Sequence, residues 1–124
     1  MARLMFTKER AMAWFNGWGF LLLAGLCEVF YASIIPRTDG FTRLWPSLYC
    51  GFFLLLSIYL LSLSVRVLPL GVAYAVWVGI GTLGTVVYGA LFLGESLNLL
   101  RSLCLLMIIG GIVGLKLFTP TPLT

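Results

Sequence analysis

Residues 18–35 read WGFLLLAGLCEVFYASII, an apolar run interrupted by a single charge, Glu28. With Trp14 and Phe15 ahead of it, the run supplies the roughly 20 apolar residues that a helix needs to cross a bilayer. Three further apolar runs follow at 45–65, 72–93 and 99–118, so the first is a span of the mature chain rather than a cleaved leader. Polar or breaker-rich segments separate them: Pro36-Arg37-Thr38-Asp39-Gly40, the turn around Pro69-Leu70-Gly71, and Gly94-Glu95-Ser96. Pro120 and Pro122 end the last. The expected fold is an all-α membrane protein of four transmembrane helices. Its organisation is an N-terminal extension at 1–13, a transporter domain at 14–118 and a tail at 119–124. Met12 offers a second start, so residues 1–11 are expected to be either a dispensable extension or sequence ahead of a misplaced start.

Composition agrees with this division. Of 124 residues, 61% are hydrophobic and 10% charged, against about 25% charged in soluble domains, and the mean hydropathy is +1.10. The net charge of +4 comes from bases scattered at the span ends. They form no stripe for nucleic acid and act as interfacial anchors and topology signals. An even number of spans puts both termini on one side. Arg3, Lys8, Arg10, Arg66 and Lys116 then oppose Arg37, Arg43 and Arg101, five bases against three. Without residues 1–11 the balance is two against three, which points to insertion in both orientations. The chain has no His, and Cys27, Cys50 and Cys104 fall in three different spans. That pattern offers neither a metal site nor a disulfide framework. No cofactor is expected.

Glu28 is the one acid inside any span. At about 1.5 Å per residue from the Trp14–Trp18 level, it lies roughly 15–20 Å deep. A carboxylate there costs a few kcal/mol and marks a functional site. The hydrocarbon interior disfavours its charged form; once deprotonated, it pairs with an organic cation. Proton and cation need the same negative charge, so they compete, and competition suffices for coupled exchange. Gly25, Glu28, Tyr31 and Ala32 share one helical face. Gly25 leaves space beside the acid, and Tyr31 is a hydrogen-bond donor to it. Tyr74 and Trp77, a turn apart in the third span, offer a hydroxyl and an indole face for a cation. Ser57, at mid-depth in the second, orients the carboxylate or bonds its own helix. Gly79 and Gly81 mark a hinge or a close packing point. A single four-helix protomer has little interior in which to hide a charge, so a dimer is expected. Gly110 and Gly114 form a small-xxx-small seam for it, or pack within one bundle. No second acid, His or accessible thiol stands near Glu28 to complete a catalytic pair, which argues against an enzyme.

Several motifs resemble the small multidrug resistance family: Gly25-Leu26-Cys27-Glu28-Val29, Gly40-Phe41-Thr42-Arg43-Leu44 with Pro46-Ser47, Leu68-Pro69-Leu70-Gly71, Ala73-Tyr74-Ala75-Val76-Trp77, Gly79-Ile80-Gly81 and Gly114-Leu115-Lys116. The resemblance covers residues 14–118. It implies an antiparallel, dual-topology dimer in a bacterial inner membrane that exports cations in exchange for protons by alternating access, with Glu28 of both subunits at the centre. The third-span motifs are most similar to the guanidinium exporters, in which the positions of Gly25, Ser57, Tyr74 and Trp77 line the site. Tyr31 stands where those exporters usually have Trp, Pro36 where the family usually has Lys, and Val72 and Val78 where it usually has Thr. The partners so implied are protons, guanidinium-type cations, lipids, and a second copy or a paralogue. Two alternatives remain beside guanidinium export: export of quaternary ammonium or lipophilic drug cations, and a subunit active only as a heterodimer.

Overall fold

A computed structural model describes residues 2–119. The elements are α1 (Ala2–Ile34), a 3₁₀ turn (Ile35–Thr38), α2 (Leu44–Ser64), α3 (Leu70–Phe92) and α4 (Leu99–Phe118). Four stretches are long and apolar enough to cross a membrane: Ala11–Thr38, Leu44–Ser64, Leu70–Phe92 and Leu99–Phe118. The four-span, all-helical expectation holds. The helix boundaries differ from it in detail. The first helix extends through the N-terminal segment without a break. Pro36 does not open a loop directly; it occupies the 3₁₀ turn, where its fixed φ suits the first position of a helical turn.

The connections are built from local hydrogen bonds. Thr38, fully buried, donates its hydroxyl to Ile35 O at 2.7 Å and accepts from Phe41 N at 3.2 Å. Its carbonyl takes the N–H groups of Thr42 and Arg43. The chain reverses there through three consecutive left-handed residues, Asp39, Gly40 and Phe41. Asn98 caps α4 by accepting from Arg101 N at 2.8 Å, as short polar side chains do at helix starts.

Helix α1 is central, with α2 and α3 packed along it, whereas α4 packs mainly on α3 and reaches α1 through Lys116, whose ammonium lies 5.6 Å from the Trp18 ring centroid. The core contains Trp18, Leu21 and Ala24 of α1, Leu61 of α2, Leu68 of the connection, and Ala73, Val76 and Trp77 of α3. On α1, positions 17, 21, 24 and 28 recur at helical spacing, so the stripe that buries Leu21 and Ala24 also turns Glu28 inward. Glycine sets the helix separations. A Cβ on Gly25 would meet Ile80 of α3 at 2.6 Å, and one on Gly79 would meet Ile112 of α4 at 2.6 Å. Helix α4 has no fully buried residue; it leans on α3 through Ile108 and Ile112, packs Leu115 on the core, and exposes most of its remaining apolar surface.

Candidate functional site

The Glu28 side chain lies against the backbone of α3 at Gly81. A Cβ added there would overlap the carboxyl carbon and Oε2. Any side chain at 81 would therefore displace the acid. Oε2 is buried and makes no hydrogen bond, although buried polar atoms are nearly always paired. An unpaired carboxylate oxygen in an apolar bundle is a place for a proton or a cation.

Beneath it runs a chain of hydrogen bonds through all three packed helices. Trp77 Nε1 donates to Ser57 Oγ at 2.9 Å, and Ser57 Oγ donates to Ala24 O at 2.7 Å. Ser57 thus spends its proton on α1 rather than on its own helix, and it bonds the indole rather than Glu28. It reaches the acid indirectly, by holding Trp77 and α1 in place. The expected space beside Gly25 is taken up by Ile80.

Tyr74 and Trp77 stand edge to face, 5.3 Å between centroids. Trp77 is 8% exposed and Tyr74 52% exposed, so the indole belongs to the core while the phenol faces outward from the protomer. Tyr31 follows Glu28 by one turn on the same face of α1. It is tied to α2 through its carbonyl, which accepts from Cys50 Sγ at 3.3 Å. Ser57 and Trp77 therefore meet at the level of Ala24, one turn before Glu28 on α1, and Tyr31 lies one turn after it, at the level of Cys50. Gly79 and Gly81 sit in an uninterrupted α3 and face opposite ways, Gly79 toward α4 and Gly81 toward Glu28. Gly110 and Gly114 stand apart from this cluster. A Cβ at Gly110 meets nothing within 4 Å, and one at Gly114 only Phe118.

Sequence reasoning overlooked Gly81's contact with the acid. The signal was present in the spacing, because a glycine four residues after Trp77 lies on the same helical face.

A bundle of four membrane-length helices, whose central helix lays an unpaired carboxylate against the backbone of α3, defines a multi-pass membrane protein. The sequence model of the family described as Small Multidrug Resistance protein matches residues 16–109. A guanidinium exporter of Citrobacter freundii is 50% identical over 102 residues, covering 82% of this chain and 97% of that protein. One from Salmonella typhimurium matches to the same extent. A guanidinium exporter of Yersinia pestis is 46% identical over 100 residues, covering 81% and 96%. The chain belongs to the small multidrug resistance family, and so to transport proteins rather than enzymes.

Proposed function

We propose that the chain is a proton-coupled antiporter of the bacterial inner membrane, exporting small guanidinium-type cations through a site centred on Glu28. The observation that carries this reading is the buried, unpaired Oε2 of Glu28 on the glycine face of α3. A guanidinium head offers two parallel N–H groups to such a carboxylate. A proton on the same oxygens removes the charge that holds the cation. The relatives named guanidinium exporters support the choice of substrate.

The functional unit is a dimer of two copies in opposite orientations. The apolar, unburied α4 and the unoccupied backbone face at Gly110 supply a seam where two helices approach closely. The outward Tyr74 of each copy then closes on the shared cavity. The small residues at 79 and 81 let α3 shift against its neighbours as access alternates.

The test is a panel of cations in proteoliposomes under a pH gradient, with guanidinium beside tetraphenylphosphonium and Glu28→Gln as the control. Guanidinium flux that needs Glu28 supports the proposal. Flux that survives Glu28→Gln, or selective transport of tetraphenylphosphonium, counts against it.

A further inference from the structure

A second carboxylate lies farther along the same two helices. Glu28 rests on Gly81 and Val29 on Gly84. One turn beyond, Ala32 and Ser33 of α1 face Thr85 and Tyr88 of α3 across a cavity of about 230 Å³, and Glu95 closes its outer end. The Glu95 carboxylate lies over Gly89, where a Cβ would overlap Oε2. From Gly81 to Gly89 is about 12 Å along a helix; the cleft lies on the Glu95 side of that distance, and Val29, packed on Gly84, stands between it and Glu28.

The fold places Glu95 there. Leu93 N and Glu95 N both return to Gly89 O, at 3.0 and 3.1 Å. Gly94 takes φ 71° to allow it, a conformation that costs glycine little. The nearby base Arg101 lines an adjoining groove with Glu95 but directs Nη1 to Ser96 O at 2.8 Å.

The wall chemistry leans toward acceptors, the Tyr88 hydroxyl alone being able to donate as well as accept. A hydroxyl has one proton and two lone pairs. Ser33 gives its proton to Val29 O at 2.6 Å. Thr85 gives its own to Gly81 O at 2.8 Å, with Thr82 O at 3.0 Å. Both oxygens therefore have only acceptor capacity left, and an ionised Glu95 accepts as well. Tyr88 adds a ring whose face attracts cations. Such a cleft suits a small cation rich in N–H donors and repels anions.

We infer that this α1–α3 cleft is an outer cation subsite, with Glu95 as its charged member, that captures guanidinium-type cations at one mouth of the path to Glu28. The inference rests on the reading of the chain as a cation exporter and adds a second station to it.

The test uses the full chain, guanidinium chloride as the probe, and two variants. Glu95→Gln removes the charge and keeps the shape; Gly89→Ala displaces the carboxylate and leaves it charged. Each is expected to raise KM for guanidinium about fivefold, the size of a partly exposed charge contact, with a far smaller change in kcat. Added sodium chloride should raise the wild-type KM more than that of Glu95→Gln. A wild-type KM in both variants overturns the subsite. A wild-type chain with no Glu28-dependent flux sinks the export reading instead, and binding then decides. Guanidinium-dependent shifts of the Ser33 and Thr85 amide resonances in Glu28→Gln, lost in Glu28→Gln/Glu95→Gln, support the subsite. Their absence from Glu28→Gln overturns it.

Discussion

At the scale of single residues, two small side chains govern the acid. Glycine at 81 lets the Glu28 carboxylate lie on the α3 backbone. Gly81→Ala gains up to about 1 kcal/mol of helix propensity, and the new methyl meets the movable end of Glu28 rather than backbone. Thermal stability in detergent should therefore hold, while guanidinium affinity falls about tenfold or more as the carboxylate shifts by about 1 Å. Ser57 behaves oppositely. It is fully buried and serves both Trp77 and Ala24. Ser57→Ala leaves the indole N–H and a carbonyl facing an apolar methyl. We expect a loss of about 1–3 kcal/mol, visible as a lower midpoint for unfolding in detergent and as altered Trp77 fluorescence in a background without other tryptophans.

At the scale of elements, glycines divide into those that join helices of one protomer and those that do not. A Cβ at Gly25 meets Ile80 at its branched Cβ, 2.8 Å away, as well as at Cγ2. A branch point cannot swing aside as a chain end can. Gly25→Ala should separate α1 from α3 and destabilise the protomer by about 1–3 kcal/mol, the usual cost of overpacking. Gly110 meets nothing within 4 Å. If the proposed dimer closes through this face, Gly110→Ile should leave helical content by circular dichroism unchanged and yield a monomer in sedimentation where the wild type sediments as a dimer. A dimer retained by that variant would move the seam elsewhere on α4.

At the scale of the whole molecule, the proposed competition of proton and cation at one acid predicts a transport cycle that depends on pH. A protonated Glu28 has no charge to offer, so cation binding is lost as protons rise. Linkage requires cation affinity to fall about tenfold per pH unit once the site is mostly protonated, and to level off where it is mostly ionised. Equilibrium binding across a pH series checks this; flat affinity would separate the cation from the acid. The near balance of bases across the membrane, five against three, belongs to the same scale. It is carried mainly by Arg3, Lys8 and Arg10, so removing residues 1–11 should change the proportion of chains in each orientation, read by cysteine labelling from either side.

The sequence by itself determined the number and places of the spans, the inward acid and the family. These follow from local composition, from helical spacing around Glu28, and from short motifs that stand intact in the chain. Only the tertiary structure decided what meets what. Ser57 finds its partners on two other helices, at Ala24 and Trp77. Gly25 receives Ile80, Gly81 receives the carboxylate, and Glu95 folds back over Gly89. Every face of a membrane helix is apolar, so hydropathy does not say which face packs on a neighbour and which meets lipid. That choice is made by the fit of side chains into the gaps that glycines leave, and fit exists only once the helices are together.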